Sequence, residues 1–138
     1  MLVLAKDMAD VGYVLLAATD QANPYGAALP WPERESGRKP ARMAGAVVVL
    51  MGGMLAAWMA RGERQLLIFA EGLEGRVAGE VRREIARSLA GSVGIQRRRA
   101  LLIGEVDGVP AVDSPMAGPL TDAGFIRTSR GLLKRIGG

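Results

Sequence analysis

The chain has no cysteine and no histidine. That removes disulfides, thiolate zinc sites, thiol nucleophiles, Ser-His-Asp triads and imidazole general bases from consideration. Aromatic side chains are scarce, with two each of phenylalanine, tyrosine and tryptophan, so the core must be built from aliphatic residues. No run of glycines ends in Lys-Ser or Lys-Thr, and a P-loop needs that ending to cradle a nucleoside triphosphate. This chain alone is therefore not expected to bind or hydrolyse ATP. Metal ligation would fall to carboxylates only, and none of them follows a calcium-loop spacing.

What is present suits a folded domain. The 138 residues are enough for one domain with a real core, and hydrophobic residues make up 49% against 23% charged. Lysine and arginine exceed aspartate and glutamate by 18 to 14, a net charge of +4 that permits an anionic partner without demanding one. Most of the excess lies late in the chain: residues 91–138 hold seven basic and four acidic groups, whereas residues 71–90 balance at four and four.

Met43 to Ala60, MAGAVVVLMGGMLAAWMA, is the longest uncharged stretch. It is marginal for a membrane span, which takes about 20 apolar residues. Its Gly-Gly centre, the arginines on both flanks (Arg42, Arg61, Arg64) and the consecutive Val47, Val48 and Val49 favour two buried strands folded back at Gly52-Gly53. The start, MLVLAKDMADVG, is interrupted by Lys6, Asp7 and Asp10 before a signal-peptide core could form. A cytoplasmic protein without a membrane segment is expected.

Read in order, Val11 to Ala18 is a buried strand, and Thr19 to Arg42 is a long loop with four prolines. The first half of this loop can pack Tyr25 and Trp31 back onto the core, while the charged second half, ERESGRKPAR, is expected to be mobile. Gly45 to Met51, Met54 to Ala60 and Gln65 to Ala70 form an antiparallel meander, with positive φ supplied by Gly52 and Gly53 in the first turn. The unbroken valines imply that both faces of the first of these strands are covered. Glu74 to Ala90 is an amphipathic helix through Val77, Val81, Ile85 and Leu89, with Gly91 as its C-cap. Ala100 to Val106 is a buried strand that turns at Asp107-Gly108 toward Val109 to Val112. Ser114-Pro115 can open a short helix that Pro119 restricts and Gly124 ends. Two extended pieces, 124–127 and 132–136, finish the chain. The fold class is α+β: mainly an antiparallel, barrel-like meander with one long amphipathic helix and one short one, in a single domain over 1–138.

Few residues suggest chemistry. Gly91-Ser92-Val93-Gly94 follows a helix rather than preceding one, so it reads as a helix end and not a phosphate loop. Asp20, Glu105, Asp107 and Asp113 show no pairing, and Asp20 and Asp107 sit where turns need aspartate. The basic residues are the better lead. Arg97, Arg98 and Arg99, with Arg127, Arg130, Lys134 and Arg135, could neutralise phosphates if the fold gathers them on one face; the alternative is a solvated surface.

The string Ala17 to Glu33, AATDQANPYGAALPWPE, resembles a signature in the C-terminal region of bacterial large helicase-related (Lhr) proteins. The resemblance continues through the GAVVVL strand, the arginine-bearing helix, the Val106 to Gly108 turn, Ser114-Pro115 and the closing GFIRTSRGLLKR. It covers roughly residues 11 to 135. Gln21 and Ser129 depart from it, each where proline is the family's residue, and Met51-Gly52-Gly53 replaces a more polar turn. The family implies a terminal β-barrel arranged as in alkylpurine DNA glycosylases of the winged-helix class. It also implies a role with DNA, in repair, next to upstream helicase and winged-helix modules that would hold ATP and magnesium. The leading expectation is a noncatalytic DNA-associated accessory domain. The alternatives are a part in base excision, with Asp20 as the acid, and a homo-oligomerisation domain.

Overall fold

The computed structural model describes residues 12–33, 37–60, 64–69, 78–93 and 99–135. The strands are β1 (Tyr13–Ala17), β2 (Val47–Met51), β3 (Met54–Met59), β4 (Gln65–Ile68), β5 (Ala100–Ile103), β6 (Glu105–Val106), β7 (Val109–Pro110), β8 (Ile126–Thr128) and β9 (Gly131–Arg135); the helices are α1 (Ala78–Gly91) and α2 (Ala117–Asp122). The expected α+β class holds. The barrel does not close among these residues: one sheet runs β1-β2-β3-β4-β6-β7 and the other β5-β9-β8, and both are open. No described helix is long and apolar enough to cross a membrane.

The uncharged stretch from Met43 to Ala60 folds as the β2–β3 hairpin. Gly52 and Gly53 have φ of 56° and 86°, the conformation in which a primed two-residue turn matches the strand twist. A bulge between Val49 and Leu50 leaves both Ala56 and Ala57 on the same side of the sheet. As the run of valines implied, the two faces of this sheet are both covered, giving two apolar clusters rather than the one core expected. Val49, Ala57, Met59 and Leu66 face α1 through Val81, Ile85, Ala86 and Leu89. On the other side Val48, Leu50, Trp58, Leu67 and Phe69 are roofed by the long loop through Tyr25, Trp31 and Met43.

Several expectations change in detail. The first strand is shorter than Val11 to Ala18 and is an edge strand, with Val14 46% exposed. The helix expected over Glu74 to Ala90 is described from Ala78, and residues 74–77 lie outside the described residues. Gly91 does not adopt a positive φ; the last turn is closed instead by the Ser92 hydroxyl, which donates to the Leu89 carbonyl at 2.6 Å. The strand expected over Ala100 to Val106 is two strands in different sheets, because Gly104 turns its amide to the Arg64 carbonyl at 2.8 Å and hands the chain from β5 to β6. β6 then pairs parallel with β4 and antiparallel with β7 through the Asp107-Gly108 turn, where both residues have positive φ.

Ser114 accepts the Met116 amide at 3.2 Å, so it organises the turn before α2 rather than capping α2 itself. Pro119 is the third residue of this six-residue helix, where its missing N–H costs no intrahelical bond. Gly124, at φ 105°, ends α2 as expected. Its amide donates to the Thr121 carbonyl and that of Phe125 to Leu120, so the helix's terminal carbonyls are satisfied by a left-handed cap.

Candidate nucleic-acid interface

The long loop, Thr19 to Arg42, is built around side chains that sequence reading did not single out. Asn23 is 1% exposed, and its side-chain amide donates to the Ala18 carbonyl at 2.8 Å. Arg42 reaches back across about twenty residues. Its guanidinium donates to the carbonyls of Asn23 (2.7 Å), Tyr25 (3.1 Å), Asp20 (3.1 Å) and Thr19 (3.4 Å). A planar fork of five N–H donors can serve four carbonyls at once, whereas a lysine ammonium has only three donors. Tyr25 and Trp31 stack with ring centroids 6.0 Å apart, and the Tyr25 hydroxyl accepts the Leu55 amide at 3.1 Å, as their expected packing on the sheet requires.

Where it is described, the loop's second half makes contacts with the larger sheet. Arg38 lies 5.3 Å over the Trp58 ring, the Trp58 indole donates to the Ala41 carbonyl at 3.0 Å, and Pro40 is buried. Cation–π contact, a backbone acceptor and the burial of Pro40 together tie these residues to the sheet. Glu33 is described and exposed, but residues 34–36 lie outside the described residues.

Two of the four acidic candidates, Asp20 and Asp107, take structural positions. Asp20 accepts the Ala22 amide at 2.8 Å in the expected Asx turn. Asp107 accepts the Ile68 amide at 3.1 Å, tying the β6–β7 turn to the end of β4. Among the described residues no three acidic side chains gather in a metal-holding group.

Of the seven basic candidates, Arg97 and Arg98 lie outside the described residues, and Arg99 is exposed just before β5. The other four sit on the β8–β9 hairpin, but they do not share one face. Strand register pairs Leu101 with Lys134, and Ile103 with Leu132 and through it with Arg127. Side chains alternate across a strand, so Arg127 and Lys134 rise on the core side of the small sheet, at its margins. There Arg127 donates to the Val112 carbonyl at 3.4 Å, and the Lys134 stem passes over Gly124. Arg135 projects from the opposite, outer face, and Arg130 is in the exposed hairpin turn, where its amide donates to the Thr128 hydroxyl at 3.1 Å.

The small sheet therefore has cations on both faces and at its turn rather than a flat basic patch. Residues 99–103 and 126–135 contain five basic side chains and no acidic one.

No family model matches the chain. Over 129 aligned residues, 88% of this chain, it is 41% identical to the Lhr helicase/probable uracil glycosylase of Mycolicibacterium smegmatis. Over 119 residues, 86% of this chain, it is 35% identical to the Lhr helicase/uracil glycosylase of Escherichia coli. The chain spans only 8% and 7% of the lengths of these two relatives.

Proposed function

Because the chain belongs to the Lhr family, matching a C-terminal domain of those much longer proteins, we propose that it is a noncatalytic DNA-associated accessory module of an ATP-dependent helicase acting in DNA repair. The observation that carries this reading is the small sheet with five basic and no acidic side chains. In it Arg99, Arg130 and Arg135 are exposed, and Arg127 and Lys134 flank the core side. Cations at these places contact the sugar-phosphate backbone and hold the duplex without reading its sequence. ATP and magnesium belong to helicase parts outside this chain, since it carries no glycine loop ending in Lys-Ser or Lys-Thr. The module works in the cytoplasm beside the helicase and winged-helix modules.

Fluorescence anisotropy with a labelled duplex across a salt series tests the reading. Binding should weaken steeply with salt, and the slope of log K against log salt should fall by about 0.9 for each phosphate contact removed by Arg130→Ala or Arg135→Ala. No binding at low salt, or slopes unmoved by both substitutions, removes phosphate contact from the proposal.

A second reading is favoured by the names of both relatives, which include uracil glycosylase. In it the module takes part in base excision, with the exposed Asp20 as the acid. One Asp20 oxygen is engaged by the Ala22 amide, which leaves the other to act. Incubation of the chain, and of the longer protein, with uracil-containing DNA decides the matter: absence of abasic product from both eliminates the enzymatic reading.

A further inference from the structure

The outer face of the small sheet has an apolar row that belongs to neither core cluster. Leu102 pairs with Leu133, and Leu133 with Ile126, so the three stand side by side on the face that also carries Arg135. None of them is among the residues forming or packed against the two clusters. Ile126, at 59%, is the most exposed large hydrophobic side chain in the described structure.

Two observations narrow what covers this row. The first is size. Three strands about 4.8 Å apart and at most five residues long, at ~3.3 Å each, offer roughly 240 Å² of face. A standard protein interface buries about 800 Å² on each partner and is depleted of charge at its centre. The second is charge, since the strands and turn around the row carry only cations. A second chain adding its β8 at the β8 edge would bring Arg127 and Arg130 of one copy close to those of the other, and like charges across a strand pair destabilise it. A small apolar spot with Arg135 on the same face and Arg130 in the adjoining turn complements a polyanion that can also present an apolar surface, and in DNA that surface is a base stack opened at one position.

No aromatic side chain is available to fill such an opening. Trp58, Phe69 and Phe125 are buried, Tyr25 and Trp31 stack on each other, and Tyr13 packs against the first cluster. Aliphatic side chains are known to serve as wedges between base steps, and isoleucine and leucine are among those that do.

We propose that the outer face of the small sheet holds duplex DNA at an interrupted base stack, with Ile126 entering the gap and Leu102 and Leu133 supporting it from behind. This rests on the DNA-associated reading above and names its substrate class: duplex with an unstacked or missing base rather than intact duplex. Arg130 and Arg135 anchor the flanking phosphates, so that affinity comes from the arginines and discrimination from the isoleucine.

The test compares an intact duplex with the same duplex carrying one tetrahydrofuran abasic analogue at its centre, by anisotropy at fixed low salt. The wild-type chain should prefer the interrupted duplex roughly tenfold, the scale expected for removing one isoleucine side chain from water. Ile126→Ala should bind intact duplex as the wild type does and lose the preference, whereas Ile126→Leu should keep most of it. Thermal melting of each variant confirms folding. Equal wild-type affinity for the two duplexes, or a preference retained by Ile126→Ala, overturns the proposal while leaving phosphate contact standing. Binding of neither duplex overturns both. Self-association in sedimentation that Ile126→Ala abolishes assigns the row to a second copy and equally rejects the wedge.

Discussion

The Arg42 guanidinium lies 2.7 Å from the carbonyl oxygen of Asn23, nineteen residues earlier, while the buried Asn23 side chain itself donates to the Ala18 carbonyl. This pair closes the long loop into a fixed roof over the second apolar face of the larger sheet. A loop of this length would otherwise leave many carbonyls without partners above an apolar surface.

Arg42→Ala should cost about 2 kcal/mol, the scale of hydrogen bonds from a charged donor to partly buried carbonyls. Arg42→Lys should recover less than half of that, because a single ammonium cannot reach four carbonyls arranged around a planar fork. Urea denaturation measures both. Wild-type stability in the lysine variant would mean that charge alone, and not fork geometry, holds the loop.

Tyr25→Phe keeps the stacking partner of Trp31 but deprives the Leu55 amide of its acceptor. The expected loss is about 1–2 kcal/mol, with faster hydrogen exchange localised at Leu55. Exchange at Leu55 no faster than in the wild type would show that another acceptor takes over.

Gly131 has φ 136°, and a methyl group there would be driven into the Ile103 carbonyl and the Gly104 backbone, where β5 and β9 meet. Gly131→Ala should destabilise by at least about 2 kcal/mol through backbone strain and collision. Gly79→Ala makes the control: it lies in α1 with open space around it, and should stabilise by about 0.5 kcal/mol. Melting temperatures that move in the same direction for both would contradict this account.

Ile85 is fully buried between α1 and the larger sheet, and Ile85→Ala should cost about 2–5 kcal/mol. The same change at Ile126, 59% exposed, should alter stability by no more than about 0.5 kcal/mol. Chemical denaturation of the two variants thus separates a residue retained for packing from one available to a ligand.

Local chemistry determined a good deal of this protein. The Gly52-Gly53 hairpin, the apolar spacing of Val81, Ile85 and Leu89, the turn at Asp107-Gly108 and the stop at Gly124 each follow from conformational preferences acting within a few residues, and each stands where the sequence placed it. The string from Ala17 to Glu33 pointed to the same family as the two relatives. Tertiary structure alone decided the rest. The split of one apolar run at Gly104 depends on a hydrogen bond to Arg64, forty residues away, and the order of the long loop depends on Arg42 reaching carbonyls at its opposite end. The division of the arginines and Lys134 between two faces depends on the register with which β9 meets β5 and β8. That register is set by which leucines the core accepts, so the row of Ile126, Leu133 and Leu102 exists only once the chain has folded.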